Sequence, residues 1–181
     1  ADAVRVLYIR HGESEVDTDR RLSCRLADGP LTAVGREQAE ALGRSLRELG
    51  WTFHAEVPTS PLQRAAETAK ILAAALDLTV APDERLRDID VGRLDGEPVD
   101  AVREEYTEIQ RRWAAGEMSR SFPEGESFRS LLQRLREALL DAAAAPGRTP
   151  GYGYGDIPPT VLVVGHAVGF RCALPQLINN V

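Results

Sequence analysis

The chain has 181 residues, 43% apolar and 28% charged, a length and balance that fit a single domain over residues 1–181 built around one core. A formal net charge of −6 excludes a broad cationic face for nucleic acid. No apolar run approaches the roughly 20 residues that span a bilayer, and no basic-then-apolar leader is readable at the start, so no membrane partner is expected and cytoplasm is the expected compartment.

The first predicted element is a strand from Val4 to Arg10, an apolar run that ends abruptly in Arg10-His11-Gly12. A polar segment from Asp17 to Pro30 leads to a helix over Ala33–Leu49, with Thr32 as N-cap and Gly50 as its stop. A short strand over Ala55–Pro58 precedes Ser60-Pro61, which opens a second helix whose buried face carries Leu62, Ala65, Ala69, Leu72 and Leu76. A third strand is expected at Leu78–Ala81, then loop over Asp88–Gly96 and a mostly polar helix over Val99–Ala115. Pro123–Ser127 turns into a helix that runs through Ala144. Pro146–Pro159, rich in Gly, Pro and Tyr, reads as an exposed connection before the strand Val161–Val164 and a last helix from Val168. Strands alternating with helices imply an α/β fold of three layers, a mostly parallel open sheet with helices on both faces.

The residues just beyond the strands carry the chemistry. Arg10 and His11 come after the first, Ser60 to Arg64 after the second, and His166 after the last. Open α/β sheets bind ligands beyond the carboxyl ends of their strands. Two arginines, two histidines and a helix N-terminus at one sheet edge describe a phosphate pocket, in which a histidine can act as nucleophile, acid/base or charge stabiliser. Singly, each residue fits an ordinary structural or surface role. Their coincidence at three strand ends points to a site. Cys24 and Cys172 lie far apart in no metal-like spacing and read as partly buried structural residues. His54 reads as ordinary surface or core.

Arg10-His11-Gly12-Glu13-Ser14 resembles the signature of the histidine phosphatase superfamily, which includes the cofactor-dependent phosphoglycerate mutases. Pro30-Leu31-Thr32 with Gly35 and Gln38-Ala39, Ser60-Pro61-Leu62-Gln63-Arg64-Ala65 with Thr68-Ala69, Leu86-Arg87-Asp88, Gly125-Glu126-Ser127 and Gly165-His166 extend the resemblance in order along nearly the whole chain. It implies hydrolysis of a small phosphorylated metabolite through a phosphohistidine, with no metal and no cofactor. His11 would be the nucleophile, with one ring nitrogen donating to a backbone carbonyl so that the other is free to attack. Arg10, Arg64 and His166 would hold the phosphoryl oxygens, with Arg21 and Ser23 as secondary ligands. Asp88 would be the general acid, and Asp90 and Glu13 stand in reserve.

Some positions depart from the family pattern. Asp88 stands where a Glu is usual, Asp17 where an Asn hydrogen-bonds phosphate, and Ser23-Cys24 where Gln-Gly is common. A carboxylate at 17 would repel a dianion unless protonated or paired, for which Arg21 is a candidate partner, and is left outside the expected site. Members usually continue past the position of Val181 into a closing strand. The insertion at about 96–125 is short, which favours a phosphatase over a mutase because a small lid admits water. Arg111, Arg112 and Trp113 in it are either a substrate patch or a solvated helix face with one anchoring aromatic. The Gly/Tyr-rich stretch Gly151–Gly155 is the other expected determinant of substrate. A mutase, a catalytically weak phosphoester- or protein-binding module, and a protein phosphohistidine phosphatase are the alternatives. Oligomeric state, a homodimer included, is left open by the periodicity.

Overall fold

The computed structural model describes residues 4–25, 27–145 and 158–178. Its sheet has four parallel strands, β1 (Arg5–Arg10), β2 (Glu56–Thr59), β3 (Thr79–Pro82) and β4 (Thr160–Gly165), in the spatial order β1-β4-β2-β3. β1 and β4 pair along their length from Arg5 opposite Thr160 to Arg10 opposite Gly165, and Thr59 pairs with Val164. The C-terminal ends of β1, β4 and β2 therefore lie side by side. That register brings the residues after each strand to one edge.

β4 is buried at every position, and its side chains alternate between two apolar cores. Val161 and Val163 face one core with Tyr8 and helix α5 (Phe128–Ala144). Leu162 and Val164 face the other with Ile9, Val57 and helix α3 (Gln63–Leu76), whose Ala65, Ala69 and Leu72 are fully buried. Strand pleat puts successive side chains on opposite faces, so a strand apolar throughout must be covered twice. The three-layer α/β arrangement expected from the sequence is the one observed. Helix α2 (Ala33–Glu48) lies against α3, where a Cβ on Gly43 would come within 2.8 Å of the Ala75 Cβ. Thr32 caps α2 by accepting from the Gly35 amide at 3.0 Å.

The predicted elements are observed with shifts of a residue or so at their ends, except that α3 begins at Gln63 with Leu62 as N-cap instead of at Ser60-Pro61. The structure adds a one-turn helix α1 (Glu15–Thr18), 3₁₀ turns at Glu84–Leu86 and Gly92–Leu94, and a π turn at Gly169–Ala173 before the short helix α6 (Leu174–Ile178). Helix α4 (Val99–Ala114) buries Trp113 against Phe122 and Phe128, with ring centroids 5.4 and 5.3 Å away, while Arg111 and Arg112 pair with Glu108. Of the two readings offered for this segment, the anchoring aromatic on a solvated charged face is the one observed. Residues 146–157, which include the Gly/Tyr-rich stretch, lie outside the described residues. Among those described, no helix is long and apolar enough to cross a membrane.

Candidate active site

The loop after β1 is pinned before it reaches the site. The Gly12 amide donates to Thr68 Oγ1 on α3 at 3.1 Å, and a Cβ on Gly12 would strike the Gly35 carbonyl oxygen at 2.4 Å. Only a bare backbone fits there. His11 is thereby held in a buried position, 7% exposed. Its Nδ1 lies 2.7 Å from the Gly12 carbonyl and its Nε2 lies 3.2 Å from Arg64 Nε. A carbonyl only accepts and a guanidinium only donates, so both contacts assign the proton to Nδ1 and leave the Nε2 lone pair facing Arg64. Burial, helped by the charges of Arg64 and Arg10, pushes the His11 pKa down to about 4.

Arg64 occupies the first turn of α3 and is 2% exposed. Its Nη1 donates to Ser23 Oγ at 2.9 Å and Asp28 Oδ1 at 3.1 Å, and its Nη2 to the Ser23 carbonyl at 2.8 Å. Asp28 Oδ2 also accepts from the Gln63 amide at 2.7 Å, which ties the 23–28 loop to the N-terminus of α3.

His166 follows β4 and is 1% exposed, its ring 5.2 Å from that of His11. Its backbone amide donates to the Tyr8 hydroxyl at 3.2 Å, and its Nε2 lies 2.7 Å from Ser60 Oγ. Ser60 Oγ also accepts from the Leu62 amide at 3.3 Å, and its own proton can go to His166 Nε2. In that tautomer the remaining proton is on Nδ1, which is buried and has no hydrogen-bond partner among the described residues. A buried ring nitrogen left without a hydrogen bond is costly and unusual, and here it sits beside the His11–Arg64 pair. Burial, then the charge of Arg64, holds His166 well below the ordinary histidine range.

Asp88 is half-buried on the wall of a cleft of about 560 Å³, together with Cys24, Arg25, Arg87, Glu126 and Arg134. Its Oδ1 accepts from the Ile89 amide at 2.9 Å. Burial raises its pKa to about 6 against the opposing pull of that amide and of Arg64, Arg134 and Arg10. The loop that carries it hangs from Arg134 on α5, which donates to the carbonyls of Arg85 and Arg87 at 2.7 Å and of Asp88 at 3.0 Å while holding Glu126 bidentately at 2.8 Å.

Of the residues named from the sequence, the structure gathers His11, Arg64, His166 and Ser23 into one contact network. Arg10 is linked to it through Asp17, which accepts from Arg10 Nη2 at 3.2 Å and lies 3.9 Å from His11 Nδ1. Asp88 stands on the adjoining cleft, within the field of both arginines. Arg21 is not brought in; its guanidinium is exposed and donates to the Gly96 carbonyl at 2.7 Å. The candidate Arg21–Asp17 pairing is corrected accordingly, because the turn of α1 points Asp17 back along the chain toward Arg10. Sequence reasoning missed Asp28, whose partners Gln63 and Arg64 lie 35 and 36 residues away, and Arg134, whose carbonyl partners lie 46 to 49 residues away.

The sequence profile of the histidine phosphatase superfamily (branch 1) matches residues 6–180. This chain belongs to that family. It is 33% identical over 176 residues to a Yersinia enterocolitica protein named "Probable phosphoglycerate mutase GpmB", covering 97% of this chain and 75% of that one. Among solved structures, a mycobacterial glucosyl-3-phosphoglycerate phosphatase in complex with VO3 superposes with a TM-score of 0.75 at 25% identity, covering 99% of this chain and 83% of the other. The alpha-ribazole phosphatase of Shigella flexneri gives a TM-score of 0.70 at 25% identity, with 96% and 79% covered. The histidine phosphatase superfamily comprises phosphatases and mutases, and these two structural neighbours are phosphatases.

Proposed function

We propose that this histidine phosphatase superfamily member hydrolyses a small phosphomonoester through a phosphohistidine on His11. The observation that carries the reading is the orientation of His11, with Nδ1–H on the Gly12 carbonyl and the Nε2 lone pair turned to a buried arginine. That is how a nucleophilic imidazole is kept neutral inside an anion site.

In this mechanism a phosphate oxygen displaces the weaker acceptors on Arg64, and the Nδ1–H of His166 takes a second oxygen. Arg10 serves the outer side, and Ser23 steadies Arg64. Attack by Nε2 on phosphorus forms the P–N bond while the P–O bond to the alcohol breaks. The fixed donors neutralise charge that spreads over the equatorial oxygens. Asp88, protonated because burial has raised its pKa, gives its proton to the leaving oxygen. Its carboxylate then takes a proton from the water that cleaves the P–N bond. The leaving group is placed in the cleft that Asp88 lines.

The relative named a mutase supports a second reading, return of the phosphoryl group to a phosphoglycerate instead of to water. One assay separates the two. Purified protein is incubated without added metal with p-nitrophenyl phosphate, sugar and nucleotide phosphates, and 3-phosphoglycerate, beside His11→Ala. Phosphate release lost in the variant is the expected result. Conversion of 3- to 2-phosphoglycerate without release would favour the mutase, and neither activity from folded protein would overturn both in favour of a binding module.

A further inference from the structure

Resting on the reading of the His11 cluster as a phosphate cradle, a second role can be drawn for a residue left out of it. Asp17 Oδ1 accepts from Arg10 at 3.2 Å, while Oδ2 accepts from the Ser14 amide at 2.9 Å and the Ser14 hydroxyl at 2.6 Å. The same Oδ2 lies 3.9 Å from His11 Nδ1. One carboxylate thus engages the side chain of Arg10, stands beside His11 and is fastened at the start of α1. Against burial, the Ser14 hydrogen bonds and the charge of Arg10 hold it below the usual carboxylate range, so it is ionised where a phosphate ester is a dianion. Its side chain and that of Arg10 are 31% and 45% exposed, which leaves the pair open to an arriving anion.

We propose that Asp17 is a tethered competitor for the phosphate group, a specificity-determining residue that occupies Arg10 and keeps the affinity for free phosphate low. A carboxylate presents the same acceptor geometry to a guanidinium as two phosphate oxygens do. The dianion must take Arg10 from Asp17 and then sit next to the displaced negative charge. Inorganic phosphate, the product, carries that cost with no leaving group to offset it. Release is thereby hastened, and a substrate must recover the loss through contacts made by its alcohol portion in the cleft.

The alternative is that Asp17 only caps α1, and Asp17→Asn tells them apart. The amide oxygen of Asn can keep both Ser14 hydrogen bonds. Its NH2 then faces Arg10 donor to donor, which frees the guanidinium and removes one negative charge. Calorimetric titration of wild type, Asp17→Asn, Asp17→Glu and His11→Ala with inorganic phosphate and with orthovanadate is the test, alongside KM for p-nitrophenyl phosphate. The expected result is a gain of about tenfold in phosphate affinity for Asp17→Asn, a matching fall in KM and a gain that shrinks with added salt. Asp17→Glu, which keeps the charge but not the cap, is expected to stay within about twofold of wild type. A gain shared equally by Asp17→Glu, which retains the negative charge, would separate the effect from competition by the carboxylate and overturn the proposal. So would unchanged affinity in Asp17→Asn when wild type binds vanadate with His11→Ala weakened. Asp17→Ser replaces the Asn variant should that one fail to fold. Absence of binding in wild type and Asp17→Asn alike would remove the phosphate-cradle reading itself, a result distinguishable from failure of the competitor alone.

Discussion

At the scale of single residues, burial has driven the candidate nucleophile and the candidate acid in opposite senses. His11 is pushed down to about 4 and Asp88 up to about 6, each chiefly because desolvation disfavours its charged form. The reactive state needs His11 neutral and Asp88 protonated, so activity should rise with pH through the first value and fall through the second. The kcat/KM profile for an alkyl phosphate is therefore expected to be a bell centred at about pH 5. Asp88→Asn should lower kcat/KM on that substrate by about 10²-fold and remove the alkaline limb. On p-nitrophenyl phosphate, whose leaving group needs little protonation, the loss should be much smaller. Equal losses on both substrates would show that Asp88 is not the proton donor and return Asp90 and Glu13 to consideration.

Between residues and the whole stand the loops that strands and helices hold in place, and here α5 matters most. Arg134 satisfies three carbonyls of the Arg85–Asp88 turn and both oxygens of Glu126, with the two charged side chains only 20% and 13% exposed. Arg134→Met should cost about 3–5 kcal/mol, because Glu126 and those carbonyls would be left without their partner. It should also lower kcat through a misplaced Asp88 while leaving vanadate affinity near that of wild type. Urea unfolding and a vanadate titration check the two halves separately. This hub also marks the boundary of legibility in the sequence. Strands and helices were legible because apolar runs, three-and-four spacing and caps such as Thr32 are local signals. His11, Arg64 and His166 were legible because a parallel sheet must deliver the residues after its strands to one edge. Asp28 and Arg134 were not, since each is an ordinary charge in its own helix or loop and acts only on backbone brought close by folding. Ser60 was half legible: the sequence marks it as a helix start, but α3 begins at Gln63, and the hydroxyl bridges the Leu62 amide and His166.

Over the molecule as a whole, all three histidines are buried, and each is held below the ordinary histidine value chiefly by desolvation. Among the described residues, both ring nitrogens of His54 and Nδ1 of His166 have no hydrogen-bond partner. A base whose folded pKa is lowered takes up a proton on unfolding, so stability falls as pH drops below the unfolded value of about 6.5. Asp88 acts in the opposite sense. Its folded pKa of about 6 lies above the unfolded value, so it favours the folded state as pH falls through that window. Three histidines against one carboxyl leave the histidines dominant, and the unfolding free energy should drop by about 2–4 kcal/mol between about pH 7.5 and pH 5. His54 is the place to test this, because it lies at the Phe53–Thr160 bridge, the opposite end of β4 from the candidate site. His54→Leu replaces those two buried nitrogens with carbon, so it should be neutral or stabilising near neutrality while flattening the acid slope. Turnover should be untouched. Urea midpoints of wild type and variant at the two pH values are the measurement. An unchanged slope in His54→Leu would mean that His54 does not contribute to the acid sensitivity, leaving His11 and His166 to carry all of it.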